Sequence, residues 1–217
     1  MSINTKAKLI LEFAKYPQPG SVKTRLAAKL GHEDACRIYD YMAQKTHREL
    51  LKLQEQGVAN VIVYADGADK QKISNWLKDA YDIWLQPDGT LGQRLEYGFC
   101  KAFEMGFRTV LAVGTDCPGL TAEKIQHAIG QLKQFDVAIV PSTDGGYVLI
   151  GTNTFQPDLF RQITWSSSQV FEQTLQRAKA NNLSVALLDP ETDVDTVEDL
   201  KTIKDKINLD LSVTHKK

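Results

Sequence analysis

The sequence predicts an α/β fold in which a mostly parallel sheet lies between two layers of helices. Short apolar runs rich in β-branched residues alternate with longer amphipathic runs of helical period, and this alternation favours parallel strands joined by crossover helices. A length of 217 residues suits one domain with a substantial core. The expected architecture is therefore a single three-layer α/β/α sandwich with a mixed sheet, spanning residues 1–217.

The strand that organises this prediction covers residues 109–113. Gly114 and a Pro-Gly pair follow it, which is typical of a buried strand that ends in a turn. Ligands bind at the carboxyl edge of open α/β sheets, so Asp116 stands where a functional carboxylate would lie. The alternative is that Asp116 only caps a turn before Pro118.

Before this strand, strands and helices alternate. The pattern predicts a strand at 7–13, a helical run at 24–56 interrupted by Gly31, a strand at 58–64, a helix at 69–78, a strand at 82–86 and a helix at 91–105.

After it, the alternation continues with one exception. The pattern predicts a helix at 121–134, a strand at 137–140, a turn at 142–146, a strand at 147–151, an irregular stretch at 152–168, a helix at 168–180, a strand at 184–188 and a helix at 196–207. The strand at 147–151 is expected to be antiparallel, because a five-residue turn is too short for a crossover. The tail at 208–217 is expected to fray.

Composition narrows the class of protein. The formal net charge is −1, which gives no basic surface for nucleic acid. The three cysteines lack paired spacing and are interpreted as reduced thiols. No apolar run approaches the ~20 residues of a membrane span, and the polar amino terminus lacks the core of a secretion signal. The expected location is the cytoplasm.

The first loop carries the residues of a phosphate site. It joins a strand to a helix and contains Gly20 with three cations, Lys15, Lys23 and Arg25, a combination that favours phosphate. It is not a P-loop, because Val22 separates the Gly-Ser pair from Lys23 and the first glycine of that motif is missing. The alternative is a surface loop stiffened by proline, with solvated lysines.

The second loop, at 86–95, follows the same logic. Gly89 and Gly92 allow close backbone approach to a ligand, and Arg94 offers a bidentate donor. Gln93 could hydrogen-bond a base or a ribose. The alternative is the start of a helix that carries an exposed arginine.

Acidic residues supply further candidates. Asp144 lies in a glycine-rich turn that suits either a ligand loop or a hairpin. Asp193 and Asp195 are candidates for a hard cation, which prefers carboxylate oxygens, whereas Asp199 is better explained as a helix cap. The four histidines lack partners at metal spacing and are interpreted as surface or structural residues, and Trp165 as an anchoring aromatic rather than part of an acceptor pocket.

Together these loops resemble a known family. The chain is similar to the small proteins with a glycosyltransferase-A-like, nucleotide-diphospho-sugar transferase fold, some of which are labelled arsenosugar-biosynthesis glycosyltransferases. More distantly it is similar to molybdenum-cofactor guanylyltransferases and phospholactate guanylyltransferases. The segments that carry the resemblance are 13–26, 91–95, 114–120, 144–151, 165–166 and 193–200.

The resemblance implies a metal-dependent transferase. It would move a glycosyl or nucleotidyl group from a nucleotide sugar or NTP to a small acceptor, with Mg²⁺ or Mn²⁺ on Asp116 and Asp195. Lys23 and Arg25 would offset charge on the leaving group, and Asp144 would orient or deprotonate the acceptor. The nucleotide would lie against Ala14, Lys15, Gly20, Lys23, Arg25, Gly92, Arg94 and Thr115.

Two alternatives stay open at this stage. Glycosyltransferases of this fold usually carry an Asp-x-Asp pair, whereas here Asp116 is followed by Cys117 and Pro118, which is closer to the nucleotidyltransferase branch. A non-catalytic nucleotide-binding protein that kept the fold is the alternative to an enzyme, because fold alone does not establish activity. The sequence does not indicate the oligomeric state.

Overall fold

A computed structural model of the protein describes residues 8–202. The strands in this part of the chain are β1 (Lys8–Lys15), β2 (Asn60–Asp66), β3 (Asp82–Leu85), β4 (Thr109–Gly114), β5 (Val137–Pro141), β6 (Tyr147–Thr152) and β7 (Val185–Leu187). The α-helices are α1 (Thr24–Leu30), α2 (His32–Glu55), α3 (Lys70–Trp76), α4 (Leu91–Glu104), α5 (Ala122–Gln131), α6 (Val170–Ala180) and α7 (Val197–Thr202).

The strands form one mixed sheet in the order β3-β2-β1-β4-β6-β5-β7. The only antiparallel pairs in the described chain involve β6, which runs against both β4 and β5. The predicted α/β class and the predicted direction of β6 are therefore confirmed. The turn before β6 is closed by a backbone hydrogen bond from Ser142 to Gly146, and Gly145 adopts a positive φ there.

The carboxyl ends of β1 and β2 differ from the prediction, and this changes the position of Lys15. β1 and β2 each extend two residues further than expected, because Ala14 and Lys15 still pair with Ala65 and Asp66. Lys15 is thus the last residue of a strand and not part of a loop. The end of the predicted last helix and the predicted tail at 208–217 lie outside the described residues.

Helices cover both faces of the sheet because successive strand residues point to opposite sides. Ile10 on β1 packs in a core with residues of α2 and α5, such as Leu50 and Ile125. Its neighbour Leu11 packs on the other face with residues of α4, such as Phe99. None of the helices within residues 8–202 is long and apolar enough to cross a membrane.

A buried polar pair joins β1 to α2. The carboxylate of Glu12 is fully buried, and its Oε2 lies 2.6 Å from Nδ1 of His47. Nε2 of His47 donates to the carbonyl oxygen of Lys78 at 2.6 Å. Burial raises the pKa of Glu12. Burial alone would lower the pKa of His47, but the hydrogen bond and charge of Glu12 outweigh it, and that pKa is raised too.

Another close contact fixes the start of α4. A Cβ on Gly92 would overlap the indole nitrogen of Trp165 and lie 2.6 Å from the carbonyl oxygen of Phe160. The ring of Trp165 also meets Tyr147 edge-on, with centroids 6.3 Å apart. Trp165 is therefore an anchoring aromatic, as expected, and it holds the irregular segment before α6 against α4.

We expect the Gly92→Ala protein to be less stable by about 1–3 kcal/mol, because overpacking forces side chains out of their preferred rotamers. Gly130 provides a matched control, since it also lies in a helix and a Cβ there would meet nothing within 4 Å. Gly130→Ala should stabilise the protein by about 0.5–1 kcal/mol. Urea unfolding of both variants measures the difference, and equal effects would contradict the packing role of Gly92.

The pair of Glu12 and His47 should make stability fall as the pH rises. Both pKa values are raised in the folded protein, so the folded state binds more protons than the unfolded chain, and the free energy of unfolding decreases with pH. His47 contributes fully below its unfolded pKa of about 6.5, and its contribution is lost as the pH passes the higher folded value.

The test compares the wild type with the Glu12→Gln/His47→Gln variant, which lacks both titrating groups, by urea unfolding between pH 6 and pH 9. The advantage of the wild type should shrink as the pH increases. His127→Gln, at an exposed position, is the control and should show no such trend. A difference that stays constant or grows with pH would contradict the assignment.

Candidate active site

A cleft of about 500 Å³ opens at the carboxyl ends of β1, β2 and β4. Eight of the ten residues predicted for nucleotide or metal binding line it: Ala14, Lys15, Lys23, Arg25, Arg94, Thr115, Asp116 and Asp195. They come from five separate segments of the chain. The sheet topology brings them together because β1 lies between β2 and β4 and runs parallel to both.

Tyr39 of α2 fixes the floor of the cleft. Its hydroxyl oxygen accepts a hydrogen bond from the backbone N–H of Lys15 at 2.8 Å and lies 3.2 Å from Oγ1 of Thr115. Oγ1 of Thr115 lies 3.2 Å from the carbonyl oxygen of Phe13 and donates to it. Burial raises the pKa of Tyr39 to about 12, so the phenol keeps its proton. The ends of β1 and β4 are therefore held at a fixed separation.

Asp195 reaches the same place from the far end of the chain. The backbone N–H of Val194 donates to the carbonyl oxygen of Asp116 at 3.0 Å, so the two acidic residues are brought together by a main-chain contact. Asp199 accepts hydrogen bonds from the backbone N–H groups of Asp195 and Thr196. Asp199 thus caps α7, as expected, and the carboxylate of Asp195 faces the cleft.

Lys23 lies between the two carboxylates. Its Nζ donates to Oδ2 of Asp116 at 2.8 Å and to Oδ1 of Asp195 at 2.6 Å. The side chain of Lys23 is 5% exposed, whereas those of Asp116 and Asp195 are 37% and 35% exposed. Lys23 has a φ of 49°, a left-handed conformation that costs a non-glycine residue free energy. Such strain is typical of functional positions.

The charges in this cluster stabilise one another. Burial alone would lower the pKa of Lys23, but the adjacent carboxylates of Asp116 and Asp195 outweigh it and raise that pKa. Desolvation would raise the pKa of Asp116, but the ammonium of Lys23 holds it below its usual range. The guanidinium of Arg25 lies 3.8 Å from Oδ2 of Asp195 and is 73% exposed, so it remains accessible to a ligand.

Arg94 shapes the other end of the cleft. Its Nη1 donates to Oδ2 of Asp66 at 2.8 Å and to Oε1 of Gln86 at 3.0 Å, and its Nε donates to the carbonyl oxygen of Gly89 at 3.1 Å. The hydrogen bond from Arg94 lowers the pKa of Asp66. Arg94 is therefore held in one orientation, with part of its donor set already used within the protein.

Some predicted residues lie elsewhere. Gly20 forms a turn with a φ of 83° outside the cleft lining, and Gly92 is covered by Trp165. Oε1 of Gln93 accepts from the backbone N–H of Thr90 in a capping box at the start of α4. The capping motif explains this glutamine better than a role in base recognition.

Asp144 lines a second, smaller pocket of about 220 Å³ next to the cleft. The two pockets share Arg25 and Asp195. Oδ1 of Asp144 accepts from the backbone N–H of Gly146 at 2.9 Å. Asp193 also lines this pocket and accepts a hydrogen bond from Ser142. Burial, together with the charges of Asp116 and Asp144, raises the pKa of Asp193.

The donor set suits a divalent ion that also binds substrate. Among residues 8–202, no group of three His, Cys, Asp or Glu side chains could hold a metal ion by itself. Mg²⁺ is commonly held by one or two carboxylates together with substrate phosphates. Asp116 and Asp195 supply two carboxylates that already flank a single cation, so the residues present fit such an ion.

Outside the first-loop segment 13–26, three residues that line the cleft were not predicted as site residues, namely Tyr39, Asp66 and Gln86. Asp66 is the last residue of β2 and Gln86 directly follows β3, so the rule that ligands bind at the carboxyl ends of the strands applies to both. Tyr39 lies within a long helix, and nothing in its local sequence separates it from core tyrosines.

This fold and cleft define a class. The architecture is that of nucleotide-diphospho-sugar transferases, and a protein from Desulfovibrio desulfuricans G20 described as a candidate nucleotide-diphospho-sugar transferase superposes with a TM-score of 0.86 at 33% identity, over 96% of this chain and 91% of that one. The profile of the family described as "Uncharacterized protein conserved in bacteria (DUF2064)" matches residues 49–167. The chain belongs to this family.

More distant structures share the fold alone. A CMP:2-keto-3-deoxy-manno-octonic acid synthetase in complex with CTP has a TM-score of 0.58 at 12% identity, over 92% of this chain and 98% of that one. A nucleotidyl transferase from Methanothermobacter has a TM-score of 0.60 at 16% identity, over 90% and 96%. No protein of curated function matches the chain in sequence.

Removing the hydroxyl of Tyr39 should destabilise the protein. In Tyr39→Phe the partly buried N–H of Lys15 loses the hydroxyl oxygen that accepts its hydrogen bond, and the loss of such a hydrogen bond costs about 0.5–1.5 kcal/mol, or more where the donor is left without a partner. Tyr97→Phe is the control, because Tyr97 is 50% exposed and such surface changes are usually within about 0.5 kcal/mol. Thermal unfolding measures both, and equal stability of the two variants would show that Tyr39 does not hold the cleft floor.

Proposed function

We propose that the protein is a metal-dependent transferase that uses a nucleotide-activated donor and a small acceptor. The observation that carries the proposal is the convergence of Asp116 and Asp195 on one cation, within 2.8 Å of the same nitrogen. Two further cations, Lys15 and Arg25, line the same cleft. Two acids and a group of cations are what a divalent ion and a chain of phosphates require.

Of the two transfer reactions, nucleotidyl transfer is better supported. A glycosyltransferase of the Asp-x-Asp type would need a second acid close to Asp116 in sequence. Asp116 is followed by Cys117, Pro118 and Gly119, none of which carries a carboxylate, and Cys117 is 0% exposed. The second acid of this cleft, Asp195, comes from a distant segment instead.

Each residue of the cleft has a separate role in the proposed reaction. Asp116 and Asp195 would hold Mg²⁺ or Mn²⁺, which would supply Lewis-acid stabilisation of phosphoryl oxygens. Lys23 and Arg25, with Lys15 in the same cleft, would offset negative charge on the departing group, a contribution that amounts to several kcal/mol in enzymes that use fixed cations in this way. Arg94 is held by Asp66 and Gln86 at the far end of the cleft, where it orients the donor.

The acceptor would enter from the smaller pocket that contains Asp144. An acceptor hydroxyl oxygen forms a bond to the α-phosphorus of an NTP, and the bond from that phosphorus to the bridging oxygen breaks to release pyrophosphate. The carboxylate of Asp144 takes the hydroxyl proton. Asp144 is suited to this role because its pocket shares Arg25 and Asp195 with the donor cleft.

The test is a thermal-shift screen of nucleoside triphosphates and nucleotide sugars with Mn²⁺. A ligand at 100 times its Kd stabilises the native state by about 2.7 kcal/mol, which corresponds to about 5–10 °C for a chain of this size. The selective ligand, followed by assay of pyrophosphate release with candidate acceptors, identifies the donor class. Binding without any turnover would favour a non-catalytic nucleotide-binding protein.

Asp116→Asn and Asp195→Asn should each abolish most of the Mn²⁺-dependent part of this stabilisation, because each change removes one of the two carboxylates that the cleft offers the ion. Asp189→Asn is the matched control, since Asp189 is exposed and lines a separate groove beside β7. Calorimetry with the ligand found in the screen measures the effect. Unchanged Mn²⁺-dependent binding in Asp116→Asn would remove Asp116 from the mechanism.

A further inference from the structure

The ammonium of Lys23 occupies the position between the carboxylates that a metal ion would need. Its Nζ lies 2.8 Å from Asp116 and 2.6 Å from Asp195, and its side chain is 5% exposed, the lowest exposure of the three. The oxygens facing each other across the cleft are therefore already neutralised by a cation that belongs to the chain.

An ammonium and a divalent ion cannot share this position. Hard cations bind carboxylate oxygens at about 2.0–2.6 Å, so an ion bridging these oxygens would stand almost where Nζ now stands. The two positive charges would also repel each other strongly at such short range. For the ion to bridge Asp116 and Asp195, the side chain of Lys23 has to leave.

The cleft provides a place for Lys23 to go. Lys23 lines the cleft alongside Lys15 and Arg25, where the proposed function puts phosphates. An arriving phosphate group offers the ammonium a new anionic partner and at the same time adds oxygen ligands for the metal ion. The left-handed backbone of Lys23, with a φ of 49°, carries a conformational cost that a local rearrangement would relieve.

We infer that Lys23 is a tethered counter-ion that blocks the two-carboxylate site in the free protein and makes divalent-metal binding depend on an anionic ligand in the cleft. The inference rests on the proposed function only in assigning Asp116 and Asp195 to the metal. Lys23 is thus a positioning residue: in the free protein it controls whether the ion can bind, and it pairs with the phosphates only after a ligand has entered. Because coupling between sites is reciprocal, the metal also strengthens binding of the anion.

The inference is tested by Mn²⁺ binding to the full-length protein without nucleotide, measured by calorimetry. If the lysine-free state is populated at a tenth or less, removal of the ammonium raises the apparent affinity about tenfold or more. We expect this in Lys23→Met and in Lys23→Gln, which keeps a hydrogen-bond donor but not the positive charge. Lys15→Met removes a charge from the same cleft without touching either carboxylate and should change the affinity less than about threefold.

Stability gives a second readout. Without Lys23 the two carboxylates repel each other, so Lys23→Met should melt at a lower temperature than wild type, and Mn²⁺ should raise the melting temperature of the variant more than that of wild type. The inference is overturned if Lys23→Met and Lys23→Gln bind Mn²⁺ no more tightly than the wild type or Lys15→Met does.

A measurement on the unaltered protein removes dependence on variant folding. Reductive methylation followed by peptide mass spectrometry reports the accessibility of each lysine amine. In the free protein Lys23 should be protected, and saturating Mn²⁺ should make it reactive while Lys15 stays unchanged. Lys23 that stays protected in the Mn²⁺-saturated protein overturns the inference. If the thermal-shift screen finds no nucleotide ligand, or the assay finds no turnover, the proposed function is wrong. Neither outcome would change the results of the Mn²⁺ measurements.

Discussion

The ion cluster of Lys23, Asp116 and Asp195 ties together three segments that are far apart in the chain. Each of them is placed by a different element: Asp116 follows β4, Lys23 immediately precedes α1, and Asp195 depends on the main-chain hydrogen bond from Val194 to Asp116. The parallel pairing of β1 with β4 sets the spacing, with Phe13 opposite Gly114. A site of this kind forms only when the sheet has formed, so the distances between its charged groups depend on the strand order and pairing of the whole sheet.

Much of this arrangement was predictable because strong local signals agreed with one another. Apolar runs bounded by glycine and proline marked the strands, and a short connection fixed the direction of β6. The rule that parallel strands present their carboxyl ends at one edge then placed Asp116 beside the first loop. The cap formed by Thr196 and Asp199 could also be predicted from the sequence, because capping depends on residues only three positions apart.

Other features could not be read from local sequence because they depend on contacts between distant segments. Gly92 suited a ligand loop, but its lack of a side chain is explained by Trp165, which lies more than seventy residues later. The cations of the first loop were similar in sequence, yet the fold buries Lys23 between two acids and leaves Arg25 exposed. The pairing of Lys23 with the predicted metal ligands has no sequence signature at all.

The distribution of rigid contacts shows which part of the site can rearrange. β1 is held at Glu12 by His47 and at Lys15 by Tyr39, both of which lie on the long helix α2. β4 is held at Thr115 by the same tyrosine. Lys23, in contrast, is the residue before a seven-residue helix and has no side-chain cap. A change of partner for the ammonium therefore requires only side-chain rotation and a local backbone change, while the contacts of Tyr39 and His47 keep β1 and the end of β4 in place. Under the inference drawn for Lys23, this combination of fixed strand ends and a movable ammonium would let the cleft keep its charges neutralised both before and after a ligand enters.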